Sequence, residues 1–228
     1  MHNRRYYIKI WQELASEKSM IFIAGPRQAG KTTLSKLIAH SYVNNYYFNW
    51  DIAEHRELFF SNPAFFEGIR RKDASTPLII FDEIHKYRSW KNYLKGIYDQ
   101  FHESYKFLVS GSGRLDIYQK GGDSLAGRYY MFHLFPFTIA ELGNRNVPIE
   151  AFMRNPLQIS MEQAGKLRAI WDMLSALSGF PEPYLSGKAA TYRRWSNTYS
   201  HQLIREDIRD IVEIKSIADV ETLYLLLP

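Results

Sequence analysis

A short glycine-containing stretch, framed by regular patterns on both sides, constrains the fold of this 228-residue chain more than any other feature. An apolar run, residues 20–24, comes directly before it, and residues 33–40 follow a helical pattern. Between them, residues 25–32 read Gly-Pro-Arg-Gln-Ala-Gly-Lys-Thr, which fits the phosphate-binding pattern G-x-x-x-x-G-K-[ST]. This loop requires a strand before it and a helix after it. The sequence therefore predicts a P-loop in its proper context.

The residue types of this loop suit a phosphate chain. Its glycines let the backbone fold so that N–H groups point at an anion, and the positive end of the following helix adds to the attraction. Lys31 is expected to reach the β- and γ-phosphates, and Thr32 is expected to place its hydroxyl on Mg²⁺. The predicted nucleotide-binding residues here are Gly25, Pro26, Arg27, Gln28, Ala29, Gly30, Lys31, Thr32 and Thr33.

A pair of carboxylates about 50 residues after the P-loop supplies a second element. Residues 78–81 are all apolar and predict a buried parallel strand that ends in Asp82 and Glu83. We expect Asp82 to hold the metal through a water molecule and Glu83 to act as the base that polarises the attacking water. An Asp-Glu pair also suits a solvated turn or a helix N-terminus. Its place behind an apolar strand favours the functional interpretation.

Composition limits the remaining classes. With 46% hydrophobic residues, the chain can bury one core, or a core with a smaller appendage. No apolar run approaches the ~20 residues that span a bilayer, and the first 19 residues lack a signal-peptide core. The chain has no cysteine, which agrees with a reducing compartment, so we expect a cytoplasmic protein without membrane contact. Its net charge of +5 favours a solvated basic surface over a dedicated nucleic-acid track.

Strand and helix patterns alternate over the first part of the chain. This alternation predicts an α/β fold with a five-stranded, mostly parallel sheet and helices on both faces. No strand pattern of comparable strength recurs after residue 143. We therefore predict a nucleotide-binding domain over residues 1–143 and a helical lid, or second domain, over residues 144–228. The predicted strands are residues 20–24, 46–51, 78–82, 106–112 and 129–134.

Polar residues stand at the ends of two further predicted strands. Asp51 ends the second strand, at the edge where ligands bind in open α/β sheets, so it faces the metal site or caps the helix that begins near residue 53. Ser110 and Ser112 end the fourth strand. They are predicted to offer a hydroxyl to the γ-phosphate or to the attacking water. The alternative is an ordinary Gly/Ser turn.

Taken in order, these motifs resemble those of the prokaryotic AAA-type ATPases related to the signal-transducing STAND group. The resemblance implies binding of ATP and Mg²⁺ and a glutamate base at Glu83. Members usually continue into a further C-terminal domain of unknown function, so the resemblance also implies that this chain is cut short before one. The motifs are residues 25–33 (GPRQAGKTT), 81–86 (FDEIHK), Trp90, 94–99 (LKGIYD), 124–128 (SLAGR), 135–137 (FPF), Glu141, Leu142 and 179–183 (GFPEP).

The same resemblance assigns two residues outside the P-loop. Arg128 matches a phosphate sensor or arginine finger, although by itself it indicates a surface arginine. Gly179 and Pro181 match a motif that lies near the nucleotide base and makes the lid respond to the bound nucleotide, although by themselves they indicate a helix stop. The chain departs from the family pattern at residues 110–113 and at Ser178, where a glycine is common.

The sequence supports one main function and several alternatives. The main one is a slow, Mg²⁺-dependent ATPase that acts as a nucleotide-driven conformational switch and signals to an unidentified protein partner. A second is a nucleotide-dependent binding or scaffold module with negligible hydrolysis. A DNA-associated ATPase and self-association are weaker hypotheses. Residues 82–85 match a DEAH-type helicase box, but a second motor core does not fit within 228 residues beside the lid.

Overall fold

The computed structural model describes residues 4–111, 125–144, 149–155, 164–208 and 216–226. The chain divides into two compact units, Met1–Pro136 and Phe137–Pro228. The predicted boundary after residue 143 lies seven residues further along the chain. Phe137 belongs to the second unit because its N–H donates to the Gly179 carbonyl at 2.6 Å and its ring contacts Tyr184.

The first unit is built on a five-stranded sheet. Every pairing between neighbouring strands is parallel. The predicted α/β class with a parallel sheet is confirmed. All five carboxyl ends consequently meet at one edge of the sheet, which positions the site described below. The strands are β1 (Met20–Ala24), β2 (Asn45–Asn49), β3 (Leu78–Asp82), β4 (Lys106–Ser110) and β5 (Tyr129–His133). They lie side by side in the order β2-β3-β4-β1-β5.

Among the described residues of the first unit, four α-helices cover both faces of this sheet. The segment after Pro63 forms a 3-10 turn over Phe65–Gly68. A second 3-10 turn, Ile84–Lys86, follows β3 directly. The α-helices are α1 (Arg5–Glu17), α2 (Lys31–Ala39), α3 (Ala53–Ser61) and α4 (Trp90–Phe101).

The core of the first unit lies in two layers, one on each face of the sheet. Because side chains alternate along a strand, neighbouring residues of the central strands enter different layers. Phe81 lies in the layer under α3 and α4, whereas Ile80 lies in the layer under α1 and α2. Helix α1 contributes Tyr7 and Trp11, which its four-residue spacing places on one buried face.

In the described residues of the second unit, all regular secondary structure is helical. The rings of Phe180, Trp195 and Tyr199 form an aromatic cluster in this unit, with each pair of ring centroids 4.8 Å apart. A π-helix, Leu203–Ile208, follows the helix that ends at Gln202. No helix among the described residues of either unit has the length and apolar character needed to cross a membrane. The helices are α5 (Ile139–Leu142), α6 (Ile149–Arg154), α7 (Ala164–Leu177), α8 (Pro181–Ser186), α9 (Ala189–Gln202) and α10 (Ile217–Leu226).

Candidate functional site

The P-loop connects β1 to α2 through three residues with positive φ. Gly25 has φ 150°, Gln28 has φ 58° and Gly30 has φ 95°. Glycine tolerates these conformations, but Gln28 adopts a left-handed conformation that costs about 1–2 kcal/mol for a residue with a side chain. Strained residues of this kind cluster at ligand-binding loops. Gln28 is exposed, and the neighbouring Ala29 is buried.

Gly25 is required by a close approach of two backbones. A Cβ atom at this position would lie 2.3 Å from the carbonyl oxygen of Leu134, which belongs to the segment directly after β5. No side-chain rotation can relieve a clash with a backbone atom. The start of the P-loop is therefore packed directly against the exit of the neighbouring strand.

Replacing Gly25 with Ala is expected to lower the melting temperature and to weaken nucleotide binding, because the strand exit or the loop must move. Overpacking and backbone strain each cost about 1–3 kcal/mol, which corresponds to roughly 2–10 °C for a protein of this size. Gly96→Ala is the matched control. Gly96 lies inside α4, and a Cβ added there would meet no atom within 4 Å, so that change is expected to be neutral or stabilising. Differential scanning fluorimetry of both variants tests this, and equal shifts would contradict it.

Lys31 begins α2 and lies back over the P-loop. Its ammonium group donates to the carbonyl oxygens of Gly25 and Pro26, both at 2.9 Å, and the residue is only 6% exposed. A buried cation beside backbone N–H groups is suited to hold an anionic phosphate chain. Thr33, in the first turn of the same helix, is exposed.

A residue that the sequence analysis did not single out also contacts the P-loop. Arg4 is only 4% exposed, and its guanidinium donates to the carbonyl oxygens of Ala29 at 3.0 Å and Phe135 at 2.8 Å. Tyr7, one turn further along, accepts a 3.3 Å hydrogen bond from the Phe135 N–H. Arg4 thus ties the start of α1 to the P-loop and to the segment after β5. No local pattern marks an arginine near the start of a chain for such a contact.

Asp82 lies at the carboxyl end of β3, and its carboxylate accepts hydrogen bonds from three other residues of the site. The residue is 1% exposed, and the three hydroxyl groups of Thr32, Tyr47 and Ser110 donate to its carboxylate. The distances are 2.7 Å from Thr32 and 2.6 Å from Tyr47 to Oδ2, and 2.5 Å from Ser110 to Oδ1. The fold therefore brings Asp82 and Ser110 to one point beside the P-loop helix. Ser112 lies outside the described residues.

Glu83 follows Asp82 in a left-handed conformation, with φ 58°. Its N–H donates to the Ser110 carbonyl at 2.9 Å, which fixes the backbone at the sheet edge. Its carboxylate lies 3.3 Å from the ammonium of Lys86 and 3.7 Å from Nε2 of His85. The left-handed turn directs the chain away from the strand, so Glu83 does not continue the alternation of β3.

Both predicted roles of Asp51 are wrong. Its carboxylate pairs with Lys86 at 2.7 Å and its side chain is 53% exposed, so it does not face the metal-site carboxylate. It does not cap α3 either, because Ile52 is the N-cap and no side chain caps that helix. The cause is an early end to β2. Asn49 ends the strand, and its side-chain oxygen accepts from the Asp51 N–H at 2.8 Å, which turns the chain.

Arg128 lies at the edge of the sheet opposite the P-loop. It comes directly before Tyr129, which pairs with Met20 at the start of β1, whereas the P-loop follows Ala24 at the other end. Five residues of strand separate the two edges by roughly 15 Å. The guanidinium pairs with Asp99 at 2.6 Å and lowers the pKa of that carboxyl. A phosphate-sensor role within its own chain does not fit this place, because the parallel strand carries Arg128 away from the phosphates.

Pro181 lies in the second unit, where it begins α8. Phe180 is the N-cap, so the proline occupies the first helical position, where its missing N–H costs nothing. Ser178, at the position where the resemblance favours glycine, is left-handed with φ 64°. The residue therefore adopts the conformation of a glycine. The segment ends α7 and starts α8, in keeping with the helix-stop interpretation.

Comparison with known sequences identifies a family. The profile described as an AAA domain matches residues 17–143, which is more than half of the chain. Two uncharacterized proteins, from Mycobacterium tuberculosis and Mycobacterium bovis, are each 28% identical over 131 residues. This match covers 55% of the present chain but only 27% of each mycobacterial protein.

Comparison with solved structures agrees on the fold. The Walker-type ATPase of Pyrococcus abyssi superposes with a TM-score of 0.55 at 13% identity, over 92% of this chain and 75% of that one. The Hsp104–ADP complex of S. cerevisiae superposes with a TM-score of 0.51 at 14% identity, over 91% of this chain and 32% of that one. At these identities the likeness shows the fold alone.

Proposed function

The chain belongs to the AAA domain family, and on this premise we propose that it binds ATP with Mg²⁺ and hydrolyses ATP slowly. The observation that carries the proposal is the 2.7 Å contact between Thr32, in the first turn after the P-loop, and Asp82 at the end of β3. These two residues come from distant parts of the sequence. Their hydroxyl and carboxylate are the groups that a phosphate-bound magnesium ion requires from a P-loop protein.

The donor set fits Mg²⁺ rather than a metal held only by protein. No group of three or more His, Cys, Asp or Glu side chains that could hold an ion occurs among the described residues. Mg²⁺ keeps several waters and usually binds through one or two protein oxygens together with substrate phosphates. Thr32 retains lone pairs for the cation while its proton points to Asp82, and Asp82 would accept from a metal-bound water. Bound there, Mg²⁺ would neutralise charge on the phosphates.

The other groups of the site would act on the nucleotide directly. The P-loop N–H groups would bind the phosphate oxygens, and the Lys31 ammonium would exchange its 2.9 Å contacts with loop carbonyls for the β- and γ-phosphates. Glu83 would accept the proton of the attacking water. The left-handed backbone of Glu83 supports this role, since strained residues cluster where a side chain must be aimed.

Release of Glu83 from Lys86 would have to precede the proton transfer. The ammonium of Lys86 lies 3.3 Å from the Glu83 carboxylate and also pairs with Asp51. This pairing favours slow turnover, and it is the observation that supports the alternative of a nucleotide-dependent binding module with negligible hydrolysis.

We further propose that the second unit is the helical lid of a conformational switch. Its helical structure and the AAA family support this role.

We infer that the switch signals to an unidentified protein partner. We also place the activity in the cytoplasm, because a chain without cysteine suits a reducing compartment. Self-association, with Arg128 acting on a second copy, and association with DNA are secondary candidates.

The test of the proposal is a thermal-shift and phosphate-release experiment with three ligand conditions: no nucleotide, ATP with Mg²⁺, and ATP with EDTA. ATP with Mg²⁺ at a hundredfold excess over Kd is expected to stabilise the protein by about 2.7 kcal/mol, which is roughly 5–10 °C for a chain of this size. ATP with EDTA should give a smaller shift. Equal shifts with and without metal would contradict the Thr32 and Asp82 metal site. Binding without phosphate release would favour the binding-module alternative.

A further inference from the structure

A tyrosine on β2 reaches the carboxylate at the end of the next strand. Tyr47 pairs with Ile80 in the parallel register, two residues before Asp82, so its side chain lies diagonally opposite Asp82 on the same face of the sheet. Its hydroxyl donates to Asp82 Oδ2 at 2.6 Å. Tyr46 points to the other face, where its hydroxyl donates to the Arg70 carbonyl at 3.0 Å.

The hydroxyl groups that contact Asp82 come from two places, the strands on either side of β3 and helix α2. Ser110 on β4 and Tyr47 on β2 belong to the strands on either side of β3, and each holds one carboxylate oxygen. Thr32 comes from the helix above and shares Oδ2 with Tyr47. A carboxylate accepts about four hydrogen bonds, so these contacts fix its orientation and leave room for a further donor. The two strand residues prevent the carboxylate from rotating.

The Tyr47 ring is itself held in place. The ammonium of Lys36, one turn beyond Thr32 on α2, lies 5.3 Å from the ring centroid. The side-chain amide of Asn49 donates to the Tyr47 oxygen at 3.3 Å. Because Asn49 supplies a proton to this oxygen, the proton of Tyr47 itself is directed to Asp82.

We propose that Tyr47 is a positioning residue that orients the Asp82 carboxylate toward the Mg²⁺ of bound MgATP. The proposal rests on the proposed function. Residues that hydrogen-bond a metal-site carboxylate from outside typically contribute 10–100-fold to metal affinity. Tyr47 does not touch the nucleotide or the metal itself, so its effect should be seen only where the metal takes part.

The experiment measures the Mg²⁺ dependence of ATP binding in Tyr47→Phe. This change keeps the ring, its packing and its contact with Lys36 and removes only the hydroxyl. The dissociation constant of ATP is determined by isothermal titration calorimetry with EDTA and with Mg²⁺. The constant in EDTA is divided by the constant in Mg²⁺, and this ratio is compared with that of the unchanged protein. We expect this ratio to fall by about tenfold, toward one. The affinity for ATP in EDTA should stay within about twofold, because no nucleotide contact is lost.

Tyr46→Phe is the matched control, because it removes an equivalent hydroxyl from the adjacent residue of the same strand. Its ratio should equal that of the unchanged protein. A cycle with Asp82→Asn adds a second test. If Tyr47 acts through Asp82, then Tyr47→Phe should cause no further loss in the Asp82→Asn background. Melting temperatures of all variants show whether each one is folded.

The outcomes separate the two proposals. A ratio of one in the unchanged protein would overturn the metal site itself, and with it the role of Tyr47. If the ratio is above one in the unchanged protein and Tyr47→Phe has the same ratio, the Tyr47 proposal alone would be overturned. Equal weakening of ATP binding with and without Mg²⁺ would also overturn it, because Tyr47 would then shape the pocket instead of orienting Asp82.

Discussion

Replacing Glu83 with Gln is expected to leave ATP binding intact while lowering the rate of ATP hydrolysis by at least ~100-fold. Glutamine keeps the size of the side chain and can still hydrogen-bond, but it cannot accept the proton of the attacking water. Glu83 is 24% exposed in its side chain and belongs to a turn fixed by its own N–H bond to Ser110, so the change should not unfold the site. Phosphate release at saturating MgATP measures the rate, and calorimetric titration measures binding.

Two further variants distinguish loss of the base from loss of an ion pair. Glu83→Gln also breaks the contact with Lys86, so Lys86→Gln removes the same pairing while keeping the Glu83 carboxylate. We expect turnover of Lys86→Gln to stay within about tenfold of the unchanged protein, since exposed ion pairs contribute less than about 1 kcal/mol. Glu103→Gln makes the same chemical change at an exposed residue after α4 and should be neutral. Equal losses in Glu83→Gln and Lys86→Gln would contradict the role of Glu83 as the base.

The two carboxylates should also differ from each other. Asp82→Asn is expected to weaken ATP binding only in the presence of Mg²⁺, because the buried carboxylate contacts Thr32, the other residue of the proposed metal site. Glu83→Gln is expected to affect turnover and not binding. If both variants showed the same kinetic defect, this division of roles between Asp82 and Glu83 would be wrong.

Replacing Lys31 with Ala is expected to weaken MgATP binding by at least ~30-fold, since losing one partner of a desolvated charge pair costs about 2–5 kcal/mol. The ammonium lies over the P-loop, 2.9 Å from the carbonyl oxygens of Gly25 and Pro26. Alanine favours the helix at this position, and the apolar core does not use the Lys31 side chain. The fold should therefore survive, as checked by circular dichroism and by the melting temperature without nucleotide.

Lys9→Ala is the matched control for this change. It removes one positive charge from an exposed position of α1, in the same unit. Its affinity for MgATP should stay within about twofold of the unchanged protein at physiological salt, because screening weakens interactions between distant exposed charges. Unchanged affinity in Lys31→Ala, measured by calorimetric titration, would refute the assignment of the phosphate-binding loop.

Prediction from the sequence succeeded where a signal was local. The apolar run Leu78–Phe81 and the P-loop pattern each depend on adjacent residues, so β3 and the turn from β1 into α2 follow from the sequence directly. Strand ends were less certain. β2 ends two residues before Asp51 because Asn49 caps the turn with its own side chain, and this correction removed Asp51 from the site.

The prediction for Arg128 followed the family resemblance, although the position of Arg128 before a predicted strand already contradicted it. Arg128 precedes a predicted strand, whereas the P-loop follows one. In a parallel sheet these two positions lie at opposite edges. The sequence alone could therefore have separated Arg128 from the phosphate site of its own chain.

By itself, the sequence determined the elements and the chemical types at their ends: a phosphate-binding loop, an Asp-Glu pair, and an α/β order of strands. Only the tertiary structure decided which side chains meet. Tyr47 contacts Asp82 because β2 and β3 are neighbours in a set register, and Arg4 contacts Ala29 because α1 packs beside the P-loop. Such contacts join residues that are 25 or 35 positions apart. Periodicity and propensity act over one or two turns of chain, so they carry no information about these pairings.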